Sequence, residues 1–226
     1  MAKREKVLVA WSGGKDSVLA LDELQGMGEY EVAALLTTVV QDYDRVSMHG
    51  VHRVLIERQA ESLGLFLEKV FISKGATDEE YESRMREVLE KYQRVGVSSV
   101  VFGDIFLEDV RKYREENLSK IDMKGVFPIW GTDTSEAVDK FIELGYRAVV
   151  TSVDCNVLDR KFAGRSFDER FLSELPAGVD RCGENGEFHS FVYDGPMFDK
   201  RVLHKKGEIV FREKRFCYCD LIAVEN

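Results

Sequence analysis

The chain is poor in the features that would mark it as secreted or membrane-bound. Its 226 residues include only four cysteines, Cys155, Cys182, Cys217 and Cys219. They are too few and too scattered for a disulfide framework, so a reducing compartment is expected. They form no Cys-x-x-Cys pair, which argues against the sulfur-carrying chemistry of enzymes that thiolate tRNA. The chain has no run of about 18 apolar residues that could cross a bilayer. Its start, Met1-Ala2-Lys3-Arg4-Glu5-Lys6, leads into a strand-like stretch and not into the apolar core of a signal peptide. A soluble, cytoplasmic protein is expected. Positive charge is short as well: 32 Lys and Arg against 41 Asp and Glu give a formal charge of -9. That balance argues against sequence-blind binding to nucleic acid, where a basic surface supplies most of the affinity. With three prolines in all, there is no proline-rich linker, and no internal repeat or low-complexity tract is present.

What is there is an alternation of short apolar runs and amphipathic stretches. Strands are expected at residues 7–11, 32–40, 66–72, 97–102, 126–130 and 147–153. Helices are expected after the first glycine loop and at residues 51–63, 78–95, 108–119 and 135–144, several of them closed by glycine. Such alternation predicts an α/β domain, a parallel five-stranded sheet with helices on both faces, over residues 1–155. From about residue 156 the pattern changes. One more helix is expected at 167–175, followed by extended segments at 188–193, 208–212 and 216–224 with polar turns between them. This reads as a smaller C-terminal region, 156–226, of antiparallel strands that binds substrate. The charged run over residues 78–91 reads as a solvated helix face.

The loop Ser12-Gly13-Gly14-Lys15-Asp16-Ser17 lies between the first strand and the first helix. There it gathers backbone N–H groups and the positive end of a helix dipole around one point, which suits a phosphate. The glycines allow close backbone approach, Ser12 and Ser17 add hydroxyls, and Lys15 adds a positive charge beside a departing pyrophosphate. The spacing is not that of a Walker loop. It resembles the pyrophosphate-binding loop of the N-type ATP pyrophosphatase superfamily. That resemblance implies an adenine nucleotide alpha hydrolase-like fold and the splitting of ATP into AMP and pyrophosphate.

A second segment, Cys182-Gly183-Glu184-Asn185-Gly186-Glu187-Phe188-His189, alternates glycines with carboxylates and delivers an imidazole as a strand begins. Such a loop suits magnesium binding or proton handling on a nucleophilic amine; a surface turn with solvated glutamates is the alternative. Together with the phosphate loop, Gly103-Asp104-Ile105, Gly164-Arg165 and Gly195-Pro196, this segment resembles the diphthine-ammonia ligase family over nearly the whole chain. The resemblance implies ATP-dependent amidation of diphthine, a modified histidine of translation elongation factor 2, by free ammonium. No glutaminase is needed for that, and none is visible.

The chemistry requires an activated carboxylate. Transfer of AMP onto it creates an acyl-adenylate that ammonia can attack. Lys15, Asp104, Glu184, Glu187 and His189 are the catalytic candidates. Ser12 to Ser17 with Gly103 and Asp104 are the nucleotide-binding candidates, and Asp104 and Glu184 the magnesium candidates. Asp104 falls at the C-terminal end of a parallel strand, where such sheets bind ligands, although a turn or cap role is open to it. Arg165 is a candidate for a phosphate or carboxylate, with a surface ion pair as the alternative. His49 and His52 are expected near the nucleotide's rim rather than on a metal. Cys217 and Cys219 are expected as buried small side chains rather than as metal ligands with Cys182. An ATP-dependent tRNA-modifying enzyme, a ligase with another carboxylate acceptor and a nucleotide sensor are the competing readings. A homo-oligomer is compatible with the sequence, which does not fix the oligomeric state.

Overall fold

The computed structural model describes residues 4–212 and 214–225; residues 1–3 of the leader reading lie outside them. The strands are β1 (Glu5–Ala10), β2 (Tyr30–Val40), β3 (Arg45–Val46), β4 (Leu67–Ile72), β5 (Val97–Val101), β6 (Lys124–Val126), β7 (Arg147–Asp154), β8 (Ser166–Phe167), β9 (Phe188–Asp194), β10 (His204–Arg212) and β11 (Phe216–Ala223). The α-helices are α1 (Lys15–Met27), α2 (Arg53–Ser62), α3 (Asp78–Gln93), α4 (Glu108–Ser119), α5 (Thr134–Glu143) and α6 (Glu169–Ser173). The chain divides into two compact units. One comprises Met1–Ser12, Asp16–Ser47 and Leu65–Gly131, and the other Gly13–Lys15, Met48–Gly64 and Thr132–Asn226.

The first unit contains the expected five-stranded parallel sheet. β1 pairs in parallel with β2 and β5, β2 with β4, and β5 with β6, while the short β3 folds back antiparallel on the end of β2. Val7, Leu8 and Val9 of the central strand are all fully buried, as a parallel strand covered on both faces requires. Leu8, Leu36, Val70 and Val100 form one core with Leu89 of α3 and Leu118 of α4. α3 turns only Leu89 fully inward. Its first turn is acidic, and Thr77 caps it by accepting from the Glu80 amide, favourable at the positive end of a helix. Beyond β6, residues 127–130 leave the strand that was expected to run through them.

The second unit is built on an antiparallel sheet in which β7 is central. β9 runs along one edge of β7; β8 and then β11 pair with the other, and β10 completes a hairpin with β11. Here the structure corrects the sequence reading, because β7 belongs to this sheet and not to the parallel one. Every residue of β7 except Arg147 is buried. With both faces covered, its apolar run carries no alternation that would mark it as antiparallel. β7 accordingly lies with residues 132–226 in the second compact unit. The helix expected at 167–175 is shorter. Phe167 pairs with Ala148 in β8, and the Asp168 carboxylate caps α6 by accepting from the Phe171 amide. Phe141, Phe167, Phe171 and Phe188 form the aromatic centre of this unit, with ring centroids 5.2–5.9 Å apart, a spacing that favours edge contacts.

Candidate active site

The phosphate loop is fixed by β1 and by residues far along the chain. β1 delivers Trp11, whose amide donates to Leu36 O. Gly13 follows with φ +78°, and a side-chain carbon there would lie 2.5 Å from both Gln59 Oε1 and Ile56 Cδ1. Only glycine satisfies both the dihedral and the space. The Gly13 carbonyl accepts from Gln59 Nε2 at 2.9 Å and from the Val192 amide at 2.9 Å, while Gln59 Nε2 also reaches Val192 O. The Lys15 amide donates to Ser190 Oγ at 3.1 Å. Lys15 itself is 2 % exposed, with Nζ 5.4 Å from the Phe188 ring centroid and 5.9 Å from that of Phe167, a favourable placement for a buried cation. Gly14 completes the glycine pair. Ser12 Oγ donates to Ser17 Oγ at 3.3 Å.

Gly103, at the carboxyl end of β5, approaches the same turn. A side-chain carbon there would lie 2.7 Å from the carbonyl of Asp16, so this glycine permits β5 and the start of α1 to pass closely. Asp104 is held by Arg114: Nε lies 2.6 Å from Oδ2 and Nη2 3.0 Å from Oδ1. The guanidinium in turn covers the Phe102 ring at 4.4 Å. Oδ1 thus accepts a hydrogen bond from Nη2, whereas Oδ2 and Nε lie within ion-pair distance and have no hydrogen-bond partner among the described residues.

The segment 180–189 is a tight loop whose carboxylates first of all hold its own backbone. Asp180 Oδ2 accepts from the Glu184 amide at 2.8 Å. Glu187 Oε1 accepts from the Asp180 amide at 3.2 Å and from Asn185 Nδ2 at 3.1 Å. Glu187 is 6 % exposed, and its Oε2 has no hydrogen-bond partner among the described residues. Gly183, at φ +67°, lies where a side-chain carbon would sit 2.9 Å from Phe188. Cys182 is fully buried and donates to Thr134 O. His189 packs against His49, with ring centroids 4.4 Å apart and the ring planes tilted by 33°. Burial, and then the positive charge of Lys15, push the His189 imidazole down to about 4, so it is neutral near pH 7.

Several other candidates have different surroundings. Arg165 pairs with Glu174 at 2.7 Å and lies over the Phe162 and Phe171 rings, which is the ion-pair alternative rather than a phosphate contact. Gly164, at φ +77°, makes room for Cys219 Sγ, 2.8 Å from where its side-chain carbon would be. His52 Nε2 lies 3.5 Å from Asp220 Oδ1. Cys155 and Cys217 form a disulfide, whereas Cys182 and Cys219 are buried thiols. Cys217 is buried as expected, while its bond to Cys155 was not foreseen; residue 217 is in register with Val153 of β7, two positions before Cys155. No group of three or more His, Cys, Asp or Glu side chains among the described residues is placed to hold a metal.

Sequence reasoning missed Gln59 and Ser190 as parts of this arrangement. Gln59 carried a signal, being a polar residue on the face of α2 that also buries Leu55, Ile56 and Ala60.

The five-stranded parallel sheet, with a glycine-rich phosphate loop between β1 and α1, defines an α/β nucleotide-binding protein of the adenine nucleotide alpha hydrolase-like class. Comparison with known proteins places it further. The model of the diphthamide synthase N-terminal domain matches residues 5–125 and that of the diphthamide synthase C-terminal domain residues 133–223; the chain belongs to this family. The break between the two matches includes the boundary at residues 131/132, although the first match also covers Gly13–Lys15 and Met48–Gly64 of the second unit. The chain is 27% identical over 246 residues to a diphthine–ammonia ligase of Schizosaccharomyces pombe, covering 95% of this chain and 40% of that protein. It is 26% identical over 230 residues to that of Bos taurus, covering 91% and 85%, and 28% identical over 221 residues to that of Danio rerio, covering 88% and 86%.

Proposed function

We propose that the chain is an AMP-forming carboxylate–ammonia ligase that amidates diphthine on translation elongation factor 2 with ammonium. The observation that carries this reading is the hydrogen bonding of the phosphate loop to the strand after the acidic loop: Gly13 O to the Val192 amide and the Lys15 amide to Ser190 Oγ. In this reading residues 12–17 grip the triphosphate, and the strand bonded to them carries His189. The N-terminal part of the chain binds nucleotide and the C-terminal part handles the acceptor.

The acceptor carboxylate oxygen attacks the α-phosphorus of ATP and pyrophosphate leaves, with Lys15 and the loop amides stabilising the charge that develops on it. Ammonium first gives one proton to water; the ammonia nitrogen then attacks the acyl carbon, AMP leaves with the bonding electrons, and nitrogen loses a second proton. A neutral His189 accepts that proton, with Glu184 and Glu187 orienting the nucleophile. Magnesium accompanies ATP in this reading and is held largely by phosphate oxygens. Asp104, whose Oδ2 is buried without a hydrogen-bond partner among the described residues, and Glu184 would be the candidates to hold it. No described helix is long and apolar enough to cross a membrane, and we place the reaction in the cytoplasm.

The test combines protein, labelled ATP, magnesium and ammonium, with and without diphthine-bearing elongation factor 2. Acceptor-dependent AMP release with the mass change from acid to amide is expected. Release of ADP would overturn the mechanism.

A further inference from the structure

Apart from His189, the polar side chains on one face of the antiparallel sheet have no task in the mechanism above. Ser152 of β7 is 1 % exposed, and its Oγ has no hydrogen-bond partner among the described residues. A buried hydroxyl left unpaired costs about 1–3 kcal/mol, so such groups in a folded protein generally have a ligand or water to meet. In the ladders, Ser152 is in register with His189 of β9 and with Tyr218 of β11. Residues paired across neighbouring strands project to the same face, which sets the hydroxyl beside an imidazole and a phenol. The turn at residues 48–50 packs over this place. His49 packs against His189 with ring centroids 4.4 Å apart. Gly50, at φ +69°, lies so close to Tyr218 that a side-chain carbon would be 2.7 Å from its ring. Asp220, two residues beyond Tyr218 and therefore on its face of β11, brings a carboxylate 3.5 Å from His52.

We infer that this cluster, formed by His49, Ser152, His189 and Tyr218 with the Asp220 carboxylate nearby, is the binding pocket for ammonium, which gives one proton to water before the resulting ammonia attacks. Ammonium has four N–H donors and a single positive charge. The pocket offers a hydroxyl oxygen and imidazole nitrogens as acceptors, with the Asp220 carboxylate, paired to His52, countering the positive charge of Lys15 felt at His189, a set that suits a small N–H donor. The position is economical as well. His189 and Ser190 are consecutive in β9 and project to opposite faces; Ser190 accepts from the amide of Lys15. The strand that steadies the phosphate loop thus presents the nucleophile's pocket one residue earlier. His49 and Ser152 become positioning residues. The inference rests on the ligase reading for its purpose, though not for its test.

Imidazole nitrogen resonances of His49 and His189 are followed by NMR while ammonium chloride is added, with sodium chloride at matched ionic strength as control. A saturable shift specific to ammonium is expected in the native chain. Ser152→Ala should weaken it about tenfold, as expected for loss of one hydrogen bond to a charged group. No saturable shift means that the pocket holds only water, and overturns the inference whether or not the chain is a ligase. In the amidation assay, His49→Gln and Ser152→Ala should raise KM for ammonium while KM for ATP holds; equal rises in both constants would also overturn it. His49→Gln lies on a half-buried turn and keeps the test available should Ser152→Ala fail to fold. Absence of AMP formation by the native chain would sink the ligase reading alone.

Discussion

Lys15 and Ser190, 175 positions apart in sequence, are joined by a hydrogen bond of 3.1 Å from the lysine amide to the serine hydroxyl. The Lys15 amide belongs to the first turn of α1, where helix amides have no partner within the helix. Ser190 therefore satisfies a group that the local sequence leaves open. It also fixes how the loop is presented.

Removing that hydroxyl tests its importance. Ser190→Ala leaves the lysine amide without its acceptor in a buried setting and should cost about 1–2 kcal/mol. Urea unfolding would report the loss, and KM for ATP should rise in parallel. Unaltered stability and an unaltered KM would mean that the loop holds its shape without β9.

Gly13 admits no side chain. Gly13→Ala sets a carbon against Gln59 and Ile56 in a positive-φ conformation, and should cost about 2–4 kcal/mol from strain and overpacking together. Thermal unfolding and nucleotide binding by calorimetry both report this. A variant that binds ATP as tightly as the native chain would contradict the geometry.

His189 should titrate near 4, well below its ordinary 6.5, because of burial first and the charge of Lys15 second. The unfolded chain takes up the proton at higher pH than the folded one. Stability should therefore rise with pH between about 4 and 6.5 and be lost on acidification through that window. Lys15→Met should move the imidazole upward without restoring 6.5, since burial remains. NMR titration of the ring protons measures both; a native value near 6.5 would contradict the buried placement.

Glu187→Gln keeps an oxygen able to accept from the Asp180 amide and Asn185, so the loop should fold as before. If the carboxylate orients the nucleophile, kcat should fall about 100-fold, the lower end for positioned acid–base groups, with KM for ATP unchanged. Full activity would reduce Glu187 to a loop-holding residue.

The disulfide between Cys155 and Cys217 closes a span of 62 residues. Chain-entropy arguments put its contribution at about 4 kcal/mol. Reductant should lower the unfolding midpoint of the native chain and leave that of Cys155→Ser unaffected. Peptide mapping without reduction identifies the pair directly.

Much of the fold was legible because local signals agreed with tertiary demands. α4 occupies the expected residues 108–119, and the glycine loop stands between its strand and helix. β7 was misplaced because the sequence Ala148-Val149-Val150-Thr151-Ser152-Val153 says that both faces are covered, but not which way its neighbours run. Within the candidate site, glycines and carboxylates stood out through local spacing. Gln59 and Ser190 did not, since their partners lie 46 and 175 residues away. The disulfide had no local signal for the same reason.

The alternation of β9 has a consequence for variation in this chain. One peptide bond separates the residue bonded to the phosphate loop from the residue packed against His49. A slip of β9 by one position would exchange their faces and disturb both arrangements together. Insertions and deletions should therefore accumulate in the turns on either side of this strand and spare the strand itself, and any new specificity would have to arise from the residues around it.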